Sequence, residues 1–364
     1  MKTSCVAFVM FSFCLPGWSV RAAAGQTAVD VYGVLDTGAV AQRGCGDCAA
    51  NKVSAGVASG SRLGIRGREA LGERVAAVFT LEAGVLNDSG ESDQGGRLFG
   101  RQAYVGLDSR LGALTLGRQY NPQYLSLTDV ADPFHGGMAG SAGNLMGYTV
   151  KRYDNTVKYV TPQSRGLSAS AIYSFGESPY SNASNRAYGA MLGYAKGPVN
   201  LSVSHQRKNN IIAGNGNGAM QSLDTSARNS LVAANFNLRY ATVFAGYGVN
   251  KGPGSSPWDP ANPYGTLALA ASSTDSRDVL FGVAAPFGGA TLLASYIRKD
   301  DRGVGNRDAR QVAIGVTYSL SRRTDLYGAY AHIRNSNGAG YTVGNASDPG
   351  HGNAAFNLGL RHAF

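Results

Sequence analysis

The sequence predicts an all-β chain, a 16-stranded antiparallel transmembrane β-barrel over residues 25–364 behind a signal segment at 1–24. Three observations carry that reading. Apolar and polar residues alternate with period two along almost the whole chain, and helical periodicity does not recur. The connections between alternating segments are short and long by turns. The final segment, NAAFNLGLRHAF (353–364), is itself a strand. Phe356, Leu358, Leu360, His362 and Phe364 fall on one parity, and Asn353, Ala355, Asn357, Gly359 and Arg361 on the other.

At the N-terminus, Lys2 precedes a short apolar run, Val6 to Pro16, and Ala22, Ala23 and Ala24 follow as small cleavage-site residues. This is the pattern of a secretory signal. The run is too short for a spanning helix, which needs roughly 18 or more apolar residues. Cys14 lacks the context of a lipid-modified cysteine.

Sixteen strands follow, at about 27–42, 61–70, 74–86, 98–108, 112–120, 155–162, 167–177, 186–196, 199–209, 229–238, 240–250, 276–286, 290–300, 309–320, 324–335 and 353–364. The even-numbered connections are short turns, one of them a near-zero turn at Arg239. The odd-numbered ones are long and polar: 43–60, 87–97, 121–154, 178–185, 210–228, 251–275, 301–308 and 336–352. This describes an up-and-down outer-membrane barrel. In hydrocarbon every backbone N–H and C=O needs a partner, so a sheet there closes. A soluble β-sandwich is the competing architecture, but it mixes its connection lengths. The last strand would pair with the first, its apolar face toward lipid and Phe364 at the membrane interface. The other parity is polar, as a wet lumen requires: Ser168 and Ser170 oppose Leu167 and Ala169, and Gln311 and Thr317 oppose Val312 and Val316. Sixteen strands is a size that leaves an aqueous channel.

Composition agrees. Mean hydropathy is −0.14, too low for a helical membrane protein. The formal charge is 33 − 23 = +10, or 31 − 23 = +8 without Lys2 and Arg21. That balance suits anionic solutes or an anionic membrane. Nucleic acid is a poor partner, because an exported chain without a Lys/Arg tract has no arm for it.

SRLGIRGREALGERVAAVFTLEAG (61–84) and LFGRQAYVGLDSRLGALTLGRQYNP (98–122) resemble the second to fifth strands of Gram-negative general porins, closest to the β-proteobacterial type. The start TAVDVYGVLDTG (27–38) and the terminal Phe fit as well. The resemblance implies a homotrimer of barrels, each with its own pore narrowed by an inward-folded third loop. It also implies a C-terminal strand, ending in Phe364, that the outer-membrane assembly machinery reads.

The third long connection, 121–154, is the longest, and a loop of that length is usually functional. Its Asp129 and Asp132, followed by Pro133-Phe134-His135-Gly136-Gly137, resemble the family's acidic loop segment. Strand parity puts Arg62, Arg66 and Arg68 on the lumen face, with Lys158 also inward. By resemblance Arg62, Arg101 and Arg152 match the basic wall of the pore constriction. Arginine on the wall and aspartate on the loop set up a transverse field that discriminates ions, and Arg stays charged in a crowded cluster. The excess of Arg predicts a modest anion preference. The bland counterpart is structural pairing with carboxylates such as Glu82. Asp30 and Asp36 read as ordinary lumen acids.

Arg118 falls on the outward parity with Leu114 and Leu116, where a bare cation near the midplane is costly. By resemblance it lies in the trimer interface and meets Glu91 and Asp93 of a neighbour's second loop; snorkelling is the alternative. Cys45 and Cys48 form a CxxC in the first loop, which an oxidising periplasm turns into a local disulfide. No metal-ligand spacing, phosphate loop or catalytic elbow accompanies them, and neither a cofactor nor an enzyme is expected. The leading function is passive diffusion of small hydrophilic solutes and ions in an outer membrane containing lipopolysaccharide. A selective channel for phosphate or organic anions, and an outer-membrane enzyme or adhesin, are the alternatives.

Overall fold

The computed structural model describes residues 27–44, 50–72, 74–148, 150–179, 182–209, 211–216, 219–224, 226–257 and 273–364. The expected signal segment and the pair Cys45 and Cys48 lie outside the described residues.

Sixteen wall strands run in chain order: β1 (Ala28–Arg43), β2 (Arg62–Ala70), β3 (Val75–Leu86), β4 (Gln102–Ser109), β5 (Gly112–Tyr120), β6 (Arg152–Val160), β7 (Leu167–Ser174), β8 (Ala187–Lys196), β9 (Val199–Lys208), β10 (Ala227–Asn237), β11 (Thr242–Lys251), β12 (Asp275–Phe287), β13 (Ala290–Asp301), β14 (Ala309–Ser319), β15 (Thr324–Asn335) and β16 (Ala354–Ala363). Each pairs antiparallel with the next, from β2–β3 to β15–β16. The cylinder closes where β16 meets β1, from Val34↔Ala363 to Arg43↔Ala354. Past the last strand, Gly33 and Phe364 exchange backbone hydrogen bonds of 3.1 Å each way. The Phe364 ring covers Gly33 so closely that a Cβ there would stand 2.2 Å from it.

Several boundaries differ from the sequence reading, and three have a clear physical reason. β4 begins at Gln102, not near residue 98, because the chain turns at Leu98 and Phe99 before it joins the sheet. β6 begins at Arg152, not near 155. A register shift between Gly117 and Gln119, with Asn155 at φ 53°, carries the strand through a bulge that reads as an end in the period-two pattern. The near-zero turn at Arg239 is a turn over 238–241, closed by Leu238 N–H to the Ala241 carbonyl at 2.7 Å. The long connections add short pairings of their own. Ala50–Ala55 extends the sheet beside β1, Glu91–Ser92 pairs with the end of β3, and Ile211–Gly216 pairs with Ala219–Asp224.

The alternation sorts side chains as a lipid-embedded barrel requires. On β14, Val312 is 57% and Ile314 59% exposed, whereas Gln311 and Ala313 are buried. Large exposed apolar side chains occur on strand after strand, among them Leu201 and Val203 on β9 and Leu358 and Leu360 on β16. A soluble monomer does not tolerate a contiguous apolar surface of that extent.

The third long connection packs inside the wall. Its residues Leu127, Phe134, Leu145 and Met146 are buried with Leu231, Phe244, Leu280 and Ile297 of the inward face. Wall glycines make room for it. A Cβ on Gly282 would meet Pro133 at 2.6 Å, and one on Gly315 would meet Phe134 at 2.8 Å.

An outward cation at mid-strand should be costly. Leu358→Arg is expected to destabilise the barrel by about 2–4 kcal/mol, as placed by the midplane cost of Arg on a lipid face. Denaturant unfolding in lipid vesicles measures it, and an unchanged midpoint would contradict the lipid-facing assignment.

Candidate functional site

A basic cluster forms where β2, β4, β5 and β6 reach the long-loop end. Glu82 on β3 is its centre. Arg101 donates from Nε to Glu82 Oε1 at 2.8 Å, and both side chains are nearly inaccessible. Tyr32 donates to Glu82 Oε2 at 2.9 Å. Arg101 Nη2 also donates to the Tyr120 hydroxyl at 2.7 Å. Arg152 donates to that same hydroxyl, and its guanidinium lies 4.2 Å from the Tyr120 ring centroid. Arg62 donates to the Gly60 carbonyl at 3.4 Å and to Ser59 at 3.3 Å. Arg101 packs against the same glycine, so a Cβ on Gly60 would sit 2.6 Å from its Nη1. Lys158 donates to the Tyr120 carbonyl at 3.2 Å.

The structure thus brings Arg62, Arg101, Arg152 and Lys158 together. Arg101, assigned by resemblance, gets there although simple alternation along the sequence would set it on the face opposite Gln102 and Tyr104. It precedes β4, its N–H held by the Glu82 carbonyl at 3.1 Å, so strand alternation does not govern it. Arg66 and Arg68 lie farther down β2 in separate pairs. Arg66 meets Asp30 at 3.3 Å and covers Tyr32, and Arg68 meets Asp108 at 2.5 Å. The residues that sequence reasoning missed are Tyr120, Tyr124 and Lys151. Lys151 donates to the Ala346 carbonyl at 2.7 Å and lies 5.9 Å from the Tyr124 ring. Tyr124 in turn stacks on Tyr120 at 5.9 Å. Lys151 directly precedes Arg152 in the sequence, which is the one local signal that marked it.

The facing loop is ordered by buried carboxylates. Asn121 caps a short helix, Pro122–Ser126, by accepting from Tyr124 N–H at 2.7 Å, with Pro122 at the first turn. Asp132 is wholly buried and accepts from the N–H groups of Phe134 at 2.9 Å, Gly136 at 2.8 Å and Ala142 at 2.8 Å. This corrects the expectation that Asp132 faces the arginines: its carboxylate is spent on the loop's own backbone. Asp129 is half-buried and accepts from the Thr128 hydroxyl at 3.1 Å. The loop is tied to the wall by Asn144 to Gln311 at 2.9 Å, by Asn235 to the Val130 carbonyl at 3.0 Å, and by Gly147 N–H to Asp278 at 2.8 Å. Asp278 is also held by Lys299 at 2.8 Å, both fully buried. Asp36 does for the first loop what Asp132 does for the third. It accepts from the N–H groups of Val57 at 3.1 Å and Ser59 at 2.8 Å and from the Tyr327 hydroxyl at 2.6 Å. The Val57 carbonyl then receives Met138 N–H at 2.7 Å, joining the two loops.

Arg118 is not the bare outward cation of the sequence reading. It donates to the Gly100 carbonyl at 2.7 Å and pairs with Asp154 of its own chain, which also takes Arg97 at 2.9 Å. The bulge in β6 sets Asp154 beside it. Glu91 is exposed, and Asp93 accepts from the adjacent Gln94 N–H at 2.6 Å.

Removing the Asp132 acceptor leaves three loop amides without a partner, each bond to a charged acceptor being worth about 1.5–3 kcal/mol. Asp132→Ala is therefore expected to leave strand content intact by circular dichroism but to give noisy, multi-level single-channel currents. Quiet currents indistinguishable from the parent would contradict the organising role.

A family model described as Gram-negative porin matches residues 17–338. An outer membrane porin protein of Bordetella pertussis is 32% identical over 353 residues, covering 85% of this chain and 90% of its own length. Outer membrane porin protein 32 of Delftia acidovorans is 26% identical, with both chains covered in full. Among solved structures, an anion-selective porin from Comamonas acidovorans superposes with a TM-score of 0.72 at 25% identity, over 93% of this chain and 100% of that one. With a closed sixteen-strand wall, an apolar outer face and a loop packed within it, the chain belongs to the Gram-negative porin family and forms a passive channel in the outer membrane.

Proposed function

We propose that the channel admits small hydrophilic solutes and ions with a modest preference for anions, and that Arg62, Arg101, Arg152 and Lys158 set that preference. The observation that carries this reading is the convergence of Arg101 and Arg152 on the single hydroxyl of Tyr120, with Glu82 as the near acid. Such a surplus of fixed cations lowers the barrier for anions. Asp129, on the loop, is the opposing charge; Arg66 and Arg68 act as weaker contributors nearer the short-turn end. A homologous fold described as anion-selective supports the same sign. A phosphate- or organic-anion-selective channel is the second reading. It draws on Arg66 and Arg68 as further basic steps along β2. Catalysis is not proposed, since the family's members are channels.

We also propose a homotrimer in which the second loop, with Glu91 and Asp93, reaches the neighbour's Arg118. Among the described residues, Arg97 and Arg118 share one acid, Asp154, so this patch carries surplus positive charge for an incoming acid. Lipopolysaccharide around the barrel and the outer-membrane assembly machinery at Phe364 complete the proposed partners. The pair Cys45 and Cys48 is proposed as a loop disulfide.

Reversal potential across a KCl gradient in a planar bilayer tests the selectivity. A chloride-leaning potential is expected, moving toward potassium in Arg101→Gln and Arg152→Gln. A potassium-leaning parent would overturn the assignment.

The pH dependence follows from two loop groups. Burial pushes the Asp129 carboxyl up to about 6, against the Thr128 hydrogen bond. Burial, then the neighbouring Arg152 and Arg101, push the Lys151 ammonium down to about 7. As pH falls through these values Lys151 gains a positive charge and Asp129 loses a negative one. Chloride preference should therefore rise as pH falls from about 8 to about 5. The combined variant Asp129→Asn with Lys151→Gln should flatten that rise, and an unaltered slope would remove these two groups from the account.

A further inference from the structure

The eighth long connection, 336–352, holds a buried side chain whose hydrogen bonding is left half done. Asn345 is 2% exposed. Its Oδ1 accepts from the N–H groups of Ser347 at 3.1 Å and Asp348 at 2.9 Å, and its own N–H donates to the Asp348 carbonyl at 2.7 Å. Two backbone donors on one end of the amide fix that end as the oxygen. The other end is then a donor, and among the described residues this buried nitrogen meets no acceptor. A donor in that position has given up water and gained nothing in return.

Asn345 borders a cavity of about 10 Å³ between the eighth loop and the third, whose walls include Tyr124, Ser141, Gly143, Tyr148 and Lys151. That is the room of about one water-sized sphere. Gly143 is part of the space: a Cβ there would stand 3.3 Å from Ser141 Oγ and 3.4 Å from the Tyr148 ring. The two loops are joined beside it by Gly344 N–H to Asn144 at 3.1 Å and by Lys151 to the Ala346 carbonyl at 2.7 Å.

Lys151 brings a charge to the same wall. The Ala346 carbonyl takes one of its three ammonium protons, and among the described residues no carboxylate forms an ion pair with it. Asp348, the acid of the eighth loop, is committed to Lys52, to Gln42 at 3.3 Å and to Gly350 N–H at 3.0 Å. Neither Asp129 nor Asp132 borders the cavity. A half-buried ammonium without a counter-charge is costly, and burial, with Arg152 and Arg101 nearby, pushes this one down to about 7. On the same wall Ser141 Oγ already accepts from Gly143 N–H at 3.2 Å. The cavity therefore offers donors and positive charge. A water molecule would add two protons in need of acceptors; an anion adds none.

We infer that this cavity is a binding site for one monoatomic anion of the chloride class, which accepts from Asn345 Nδ2 and from the Lys151 ammonium and so clamps the eighth loop onto the third. The ion supplies the counter-charge that the protein withholds from Lys151 and the acceptor that Asn345 lacks. Neither Arg101 nor Arg152 borders the cavity, so the site is separate from the wall that Tyr120 organises.

Crystals of the full chain grown in sodium bromide test the site by anomalous diffraction. A bromide peak is expected within hydrogen-bond distance of Asn345 Nδ2 and Lys151 Nζ. Asn345→Asp keeps the acceptor for Ser347 and Asp348 but replaces the donor with an acid, and it should abolish the peak, as should Lys151→Gln. In solution, hydrogen exchange across 341–348 should be slower in sodium chloride than in sodium gluconate at equal ionic strength. The slowing should be about tenfold at about ten times the chloride dissociation constant. That comparison uses the parent protein alone, so misfolding of a variant does not blunt it. No bromide at the cavity, equal exchange in the two salts, or a peak that survives Asn345→Asp, the mark of an adventitious ion only, would each overturn the inference. The parent's reversal potential is read separately: a potassium-leaning pore with bromide in the cavity would sink the selectivity reading and leave the anion site standing.

Discussion

Backbone hydrogen bonding in a medium without water is the constraint on which the rest of this structure depends. An open sheet edge in hydrocarbon leaves a row of N–H and C=O groups unpaired. The β1–β16 seam removes that edge. Phe364 finishes the seam at one end with reciprocal bonds to Gly33, whose missing side chain leaves room for the tip of the ring. Once the wall is closed, each strand has one face in lipid and one in the lumen. The outward Val312 and inward Gln311 are the same rule applied to neighbouring residues.

Closure leaves a second problem, because the long connections carry backbone amides into a confined space. Buried carboxylates solve it. Asp36 gathers the amides around Val57, Asp132 those around Phe134 and Gly136, and Asp278 that of Gly147. These acids hold the first and third loops against the wall and against each other. The basic cluster therefore faces an ordered surface. Its own geometry depends on Tyr120, whose hydroxyl and ring serve two arginines that would otherwise repel.

The two faces of the wall divide the chain's positive charge between them. Inside, arginines crowd around Glu82 and Tyr120, where charge acts on passing ions. Outside, on β9 to β15, arginines stand at the height where apolar surface gives way to polar surroundings. The outer group follows from strand parity, as do Arg62 and Lys158 of the inner one, and the side they occupy decides what they act on.

The sequence by itself determined the wall. Period-two alternation, alternating connection lengths and the terminal strand specify sixteen strands and their faces, because lipid on one side and water on the other impose that pattern locally. It also determined the inward direction of Arg62, Arg66, Arg68 and Lys158, which needs only a count along one strand. Only the tertiary structure decided how those residues are used. Arg101 enters the lumen from just before β4, where alternation has lapsed, and Arg118 finds Asp154 across a bulge that parity does not register. Asp132 turns into its own loop, whereas Asp129 stays partly accessible, though both sit in the same short acidic stretch. Arg101 and Arg118 depend on partners 19 and 36 residues away, and Asp132 on the particular fold of its own loop; a period-two count encodes neither.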